Sequence, residues 1–586
     1  MIYDREFVFG TTIIADLKSS RYSVSRDVIR IYQKRYLVMK RNFLTYKNIF
    51  LVLFCLFLLR GSIQILMTPP LEGFDSIGHI DYLQYLHDHG KRDLKKMPMS
   101  ENSLELLRLL PLCKHLETSD GSGLYYENYY TQSVSTIDSL KHVLWKMKFY
   151  PPNVTYVDSE NNWQRKHPPL YYWILNAIVE RIHPSYFIQA YYCFSFVSLL
   201  LLSLSMIPFY LFGKAISDTC NEKHKLFFVV LFTIQPMIYM IGARISNDAL
   251  AYTFNALICL LLLKTLIASS EKKQTALMYA LLAGTVTGLS IITKTYALLF
   301  LPSFFLIGIV AYIVNKNARY LFSTAVFSVV ALCISLPTLL FHLKVTGQLD
   351  GNLIQSDLKN SGYAINYVKS FIDFYITSLD GYVQAVKIVT LRIWVGNWSS
   401  IANFPLVYIF YSVLYAVTLI SFVRSLPSIV KKMYDPLTLF FVFSVILQGA
   451  LFVALMKLGI ETATYAQRVT AVAGYYSYAF YATELYIFWY LLKDKSFNWF
   501  AGISSLFLFT DITGILTQII YYYGGGHVGP GRIILPEYNW LSLIAGNWTH
   551  APWQIISLKM FVVLCAVYFA FSTMMVLIVK NKGLDK

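Results

Sequence analysis

Charge is what this chain is short of. Asp, Glu, Lys and Arg make up 14% of its 586 residues, against roughly 25% in soluble globular domains. With 56% apolar residues, the composition excludes a water-soluble fold and implies a membrane protein. Nucleotide signatures are missing as well. There is no Walker A loop and no Rossmann glycine pattern, so a nucleotide-fuelled reaction is unsupported. No CxxC pair or Cys/His spacing points to zinc. The basic N-terminal residues are not followed by an A-x-A-like cleavage site, so they do not read as a signal peptide. Nor is there an internal repeat of the kind common in transporters.

What the chain does have is a series of long apolar runs. They fall at about 48–66, 186–213, 225–243, 249–268, 276–293, 296–314, 320–343, 404–423, 436–456, 474–492, 497–522 and 555–579, most of them near the roughly 20 residues that cross a bilayer. The net charge of +17 does not imply nucleic acid as a partner, because excess Lys and Arg in a polytopic protein mark cytoplasmic loops. Twelve spans with both termini cytoplasmic put Lys214/Lys223/Lys225, Lys272/Lys273, Lys316/Arg319, Arg424/Lys431/Lys432, Lys493/Lys495 and Lys580/Lys582/Lys586 on one side. The expected fold is an all-α polytopic membrane protein with about 12 transmembrane helices.

Two domains follow from this layout. Residues 1–47 form a cytoplasmic basic segment with ten Lys/Arg and four Asp/Glu, which could carry an interfacial helix over Val28–Tyr46. Residues 48–586 form the transmembrane domain. A further span from His167 to Arg181 would invert the loops on one side of it. That stretch of about 14 residues therefore fits an interfacial or re-entrant helix. The outer regions are then 67–185, 344–403, 457–473 and 523–554. Cys113 is the one cysteine they hold, which excludes a disulfide framework there.

Candidate chemistry gathers in these outer regions. After Pro69-Pro70 come Glu72, Asp75 and His79, spaced to share one face if helical. A carboxylate at the membrane surface could act as general base on an acceptor hydroxyl. Asp75 also precedes a helix-like run, Ser76–His89, where it could serve only as an N-cap. Lys166 and His167 precede Pro168-Pro169, a good helix start whose N-terminus favours an anion. Basic residues recur at the outer ends of spans: Arg244 beside Asp248, Lys294, Arg392, Arg468 and Arg532. Any one alone reads as a snorkelling flank, whereas several on one face suggest neutralisation of a phosphate. Trp394 and Trp398 beside Arg392 fit sugar stacking or an ordinary aromatic belt. Gly524–Arg532 looks like a lid rather than a phosphate cradle. Glu484 and Asp511 sit inside spans, as a proton relay or as structural glue.

These motifs resemble the GT-C superfamily of polytopic glycosyltransferases, which includes protein O-mannosyltransferases and aminoarabinose transferases of lipid A. The resemblance rests on PP-x-E-G-x-D-x-x-x-H from Pro69 to His79 and HPPLYYW from His167 to Trp173. Further echoes are ISNDALA (245–251), TKTYALLFLP (293–302) and GYYSYAFYATELY (474–486). The resemblance implies an inverting transfer from a polyprenyl- or dolichyl-phosphate sugar, on the outer or lumenal face, to a glycan, lipid or protein. It maps the catalytic acid onto Asp75, with Glu72 in reserve, and the donor-phosphate contact onto Lys166 or His167. It maps the acid before span four onto Asp248, for sugar or metal. Arg244, Lys294 and Arg468 would join the phosphate site, and His79, Trp394 and Trp398 the sugar or acceptor site. Ser76 departs from the family, many of whose members carry Glu there, and the chain has no Asp-x-Asp pair. A divalent metal stays open. A bacterial plasma membrane fits first and an endoplasmic-reticulum membrane second. The rival reading is a secondary transporter or lipid flippase using Glu484 and Asp511, and a non-catalytic assembly subunit is a third.

Overall fold

The computed structural model describes residues 45–72, 76–91, 93, 96–111, 129, 132–149, 154–218, 224–351, 365–379, 403–466, 474–493, 498–524, 527–529, 532–534 and 540–584. The chain forms two compact units, Met1–Leu53 and Phe54–Lys586. Of the first unit, residues 45–53 are described and open helix α1 (Tyr46–Met67). Positions 28–44 of the expected interfacial helix lie outside the described residues.

Helix α1 is a mostly apolar run interrupted by Arg60 and Gln64, and it ends before Pro69-Pro70, which have no amide hydrogen to donate. The polar region after it holds α2 (Ser76–His89), β1 (Pro98–Ser100), α3 (Glu101–Leu109), α4 (Val134–Lys146), β2 (Tyr156–Asn161) and α5 (Leu170–Ile182). Then come α6 (Phe187–Ser203), α7 (Met206–Ser217), α8 (Phe227–Thr233), α9 (Pro236–Gly242), α10 (Asp248–Ser270), α11 (Thr275–Ile291), α12 (Phe300–Asn315) and α13 (Ala318–Thr346). The remainder is α14 (Tyr367–Phe371), α15 (Pro405–Lys431), α16 (Pro436–Ala466), α17 (Tyr481–Leu492) and α18 (Asn498–Tyr523), then the ribbon β3 (His527–Gly529)–β4 (Arg532–Ile534), α19 (Trp540–His550) and α20 (Leu558–Leu584).

Among the described residues, nine helical segments are long and apolar enough to cross a membrane. Three of the twelve apolar runs fall short of that, each for a local reason. Run 225–243 breaks at Gln235, because Pro236 cannot donate into a preceding helix and instead opens α9. Run 276–293 is α11, a helix of 17 residues. Run 474–492 starts as a 3₁₀ segment, Gly474–Phe480, before the 12 residues of α17.

Helix α10 is the most enclosed of the nine, with 72% of its apolar window buried, while α15 has only 17%. A bilayer explains that range, since an apolar face costs nothing against lipid. Small residues set the closest approaches. A Cβ on Gly284 of α11 would lie 2.6 Å from the Phe327 carbonyl oxygen of α13, and one on Gly288 would lie 2.6 Å from Ile334 Cβ. This G-x-x-x-G stripe packs α11 on α13 by removing side chains from the interface.

The polar region is built around α2. Asp81, fully buried, accepts from Ser100 N and Oγ, both at 2.8 Å, and from Asn162 Nδ2 at 2.9 Å. These bonds fasten α2 to β1 and to the residue that follows β2, in a ribbon where Met99 pairs with Val157 and Ser100 with Tyr156. Burial raises the Asp81 pKa, and the three donors oppose that rise. Helix α5 is joined to the turn after α11 by Leu170 N donating to Ile292 O at 3.3 Å. At 13 residues it is too short to span, as expected for an interfacial or re-entrant element.

Candidate functional site

Three separate stretches of chain meet at one end of the helices: the segment 163–172, the turn 243–248 and the turn 292–296. Ser246 N donates to Tyr171 Oη at 3.0 Å, and Tyr171 Oη lies 2.6 Å from Ser198 Oγ. Asn247 Nδ2 donates to Thr293 O at 3.1 Å. These bonds hold the N-terminus of α10 against α5 and the start of the 3₁₀ turn Thr295–Leu299.

The charged centre is Lys294 with Asp248. Lys294 Nζ lies 2.5 Å from Asp248 Oδ1, with side-chain exposures of 9% and 6%. Ser246 Oγ donates to the other Asp248 oxygen at 3.0 Å. The Lys294 ammonium also lies over two phenol rings, 5.6 Å from the Tyr296 centroid and 5.7 Å from that of Tyr476, which suits a cation held away from water.

Beside this pair stand two histidines. His79 Nδ1 is 2.6 Å from Tyr172 Oη, and its ring stacks near the His167 ring with centroids 6.0 Å apart. Tyr82 donates to the His167 carbonyl at 2.9 Å. Burial first, then the Lys294 and Arg244 charges, holds the His79 imidazole well below its ordinary value. His167 is held down in the same direction by burial, Lys294, Lys166 and its neighbours His79 and His342. Two neutral imidazoles at neutral pH can place hydrogen bonds, but they are weak bases for removing a hydroxyl proton.

Glu72 does not share a helical face with His79, because α2 begins at Ser76. It sits in the turn after α1, where its amide donates to Pro69 O at 3.1 Å and Leu71 takes a left-handed φ of 66°. Leucine rarely adopts that conformation; it costs roughly 1–2 kcal/mol and recurs where a site dictates the backbone. The Glu72 carboxylate is buried and accepts from Tyr522 Oη at 3.4 Å. Glu72 and Arg244 both act electrostatically on Tyr191, so each lies within electrostatic range of that phenol.

The site therefore unites His79, Lys166, His167, Arg244, Asp248 and Lys294, while Glu72 is joined to Tyr522 in the turn after α1. Asp75, Arg392, Trp394, Trp398 and Arg468 lie outside the described residues, as does the Arg532 side chain. The suspected lid contains the short β3–β4 ribbon, with Gly529 opposite Arg532. Residues not anticipated as site members are Tyr82, Tyr172, Tyr296, Tyr476 and His342. His342 is fully buried at the end of α13, and a single histidine in a long apolar helix was the available signal. Among the described residues, no group of three or more His, Cys, Asp or Glu side chains could hold a metal ion.

The two intramembrane acids lie apart from this site. Asp511 accepts from Arg60 Nε at 2.9 and 3.0 Å and from Nη2 at 2.7 Å, so it is paired with a basic group on α1. Glu484 accepts from Tyr415 at 3.0 Å.

No protein-family model matches the chain, and no curated protein does. Among solved structures it is similar to the apo oligosaccharyltransferase of Archaeoglobus fulgidus, at 12% identity and a TM-score of 0.43. That match covers 91% of this chain and 57% of the other. The same oligosaccharyltransferase tethered with an acceptor peptide containing an NVT sequon is similar at 12% identity, TM-score 0.38, over 91% and 56%. The archaeal oligosaccharyltransferase AglB in complex with an inhibitory peptide and a dolichol-phosphate is similar at 13% identity, TM-score 0.34, over 71% and 53%. The chain thus spans little more than half the length of the structures it matches.

Proposed function

We propose that this chain is an integral-membrane glycosyltransferase that moves a sugar from a polyprenyl- or dolichyl-phosphate donor to an acceptor hydroxyl on a glycan, lipid or protein. The observation that carries the reading is the convergence of Arg244, Lys294 and Lys166 with Asp248 around His79 and His167 in one largely buried site, beside helices whose apolar faces suit a lipid chain. Three cations in a low-dielectric pocket are suited to a phosphate that gains charge as it departs.

In this reading Asp75 takes the acceptor proton, with Glu72 as the reserve acid. The acceptor atom attacks the anomeric carbon from the side opposite the phosphate. Its bond to the sugar forms as the carbon–oxygen bond to phosphate breaks, so the electron pair leaves on the lipid phosphate and the configuration inverts. Lys294, Arg244, Lys166 and the hydrogen-bonding edge of His167 hold that phosphate, while His79 and Asp248 orient sugar or acceptor. The reading keeps twelve spans, both termini cytoplasmic, and the site on the outer or lumenal face of a bacterial plasma membrane or an endoplasmic reticulum.

The test is transfer from radiolabelled polyprenyl-phosphate sugars by the purified chain in detergent. General-base catalysis is worth about 10²–10⁴-fold, so Asp75→Asn should lower turnover by that factor while donor binding and melting temperature hold. Unchanged turnover in Asp75→Asn removes Asp75 from the mechanism, and unchanged turnover in Glu72→Gln as well removes the carboxylate-base chemistry.

A further inference from the structure

A second site lies away from these residues, between α15, α17 and α18. It is an apolar cavity of about 500 Å³ lined by residues such as Phe410, Val417, Leu492, Trp499 and Phe509, with no acid among its lining side chains. That volume falls within the roughly 300–1,000 Å³ of small-molecule sites. Gly502 also lines it, and a Cβ there would meet nothing within 4 Å. On α15 the lining residues Phe410, Val413, Leu414 and Val417 follow the i, i+3, i+4, i+7 spacing of one helical stripe. With 17% of its apolar window buried, α15 turns most of its surface to the lipid.

Charge selects the occupant. Tyr415 donates to Glu484 at 3.0 Å and packs 6.2 Å from Phe488, while Leu492 lines the cavity together with Val417. Helices α15 and α17 therefore advance in the same direction along it. Just past Leu492 comes Lys493, its ammonium 4.2 Å from the Tyr490 centroid and 5.1 Å from that of Trp489. On α15 the same stripe continues to the exposed Arg424, about 10 Å beyond Val417 at 1.5 Å per residue. Arg424 and Lys493 thus follow the lining residues Val417 and Leu492 at the same end of an apolar groove that faces lipid.

We propose that this groove holds an acyl chain of one anionic phospholipid, with its phosphate headgroup paired with Arg424 and Lys493. This goes beyond the transfer reaction and does not depend on it. A cation near a lipid headgroup contributes about 1 kcal/mol, or roughly fivefold in affinity per residue.

The experiment uses the full chain in detergent with equimolar phosphatidylglycerol and phosphatidylcholine of identical acyl chains, and counts retained lipid by native mass spectrometry. One phosphatidylglycerol should be retained in at least about tenfold preference. Arg424→Gln with Lys493→Gln should bring the two lipids to equal retention. Gly502→Phe should plug the groove and lower retention of both. Gly449→Phe, at an equally open and exposed glycine away from the groove, should leave retention unchanged. Equal retention by the unaltered chain, full retention by Gly502→Phe, or equal loss in Gly449→Phe each overturns the proposal. So does displacement of phosphatidylglycerol by equimolar polyprenyl phosphate, which would assign the groove to the donor's chain. If Gly502→Phe does not fold, the double Gln variant still decides the headgroup claim.

Discussion

Two buried ion pairs divide the labour of this molecule. Arg60 and Asp511 meet with exposures of 1% and 0%, and their hydrogen bonds form a closed set. Arg60 reaches the carboxylate through Nε and Nη2 and gives Nη1 to Gln64 at 3.2 Å. Gln64 passes the chain on to Gln518 at 2.9 Å and Thr68 at 2.8 Å. Lys294 and Asp248 meet through one contact with residual exposure on both sides, and aromatic rings rather than donors and acceptors surround the ammonium. A planar guanidinium fixed by a fork of bonds registers α1 against α18. A lysine is a mobile point charge with donors in reserve, and here it borders two histidines and Arg244. Satisfaction, more than burial, separates the closed pair from the open one.

The largest expected effect tests the closed pair. Asp511→Ala leaves a buried guanidinium without its counter-charge, and removing one partner of such a pair costs about 3–5 kcal/mol. The variant should melt far below the parent in detergent, with much less protein recovered. Replacing both partners, Arg60→Met with Asp511→Leu, should restore most of that loss, because two apolar side chains need no compensation. A single variant that melts with the parent would erase the distinction drawn between the pairs. It would also revive Asp511 as a working ionisable group.

Next in size is the open pair. Lys294→Met should weaken binding of a short-chain polyprenyl phosphate by roughly 10- to 100-fold, the worth of a hydrogen bond to a charged group at about 1.5–3 kcal/mol. Its melting temperature should fall less than that of Asp511→Ala, because Asp248 keeps its Ser246 hydroxyl and a route to water. Isothermal titration with the parent and the variant checks this. Equal affinities would take Lys294 out of the donor site.

Much of the helical framework was legible in the chain because the bilayer demands long apolar runs, and length alone can be read from residues. The three runs that fell short did so through features shorter than the window that finds them, such as Gln235-Pro236 and the 3₁₀ opening at Gly474. Lys294, Arg244 and Asp248 stood out because a charge in an apolar context is conspicuous. Arg60 was equally conspicuous, yet its partner is 451 residues away, and no spacing rule joins two helices so remote. The Asp81 clamp was hidden for the same reason, since Ser100 and Asn162 are ordinary loop residues until the ribbon forms. Glu72 misled through a periodicity that applies only inside a helix, and the helix starts four residues later.

The smallest effect concerns acid, and it sharpens the comparison by locating the pH-sensitive end of the molecule. His79 and His167 have folded pKa values below the unfolded value of 6.5, so the unfolded chain binds protons that the folded chain refuses. Stability from these groups is complete above about pH 6.5 and declines as pH falls towards their folded values. The fully buried His79 alone contributes a slope of up to about 1.4 kcal/mol per pH unit, and the partly exposed His167 less. Asp81 works in the opposite direction: its raised folded pKa favours the folded state at acid pH, an advantage lost as pH rises from about 3.8 through that higher value. Melting temperatures in detergent should therefore drop between pH 7.5 and 5.5, and His79→Gln should flatten that drop, because Gln can meet Tyr172 without titrating. An unchanged slope in His79→Gln would mean that the acid sensitivity lies elsewhere. In that case the histidines beside Lys294 would not be held neutral by the charges they share with the site.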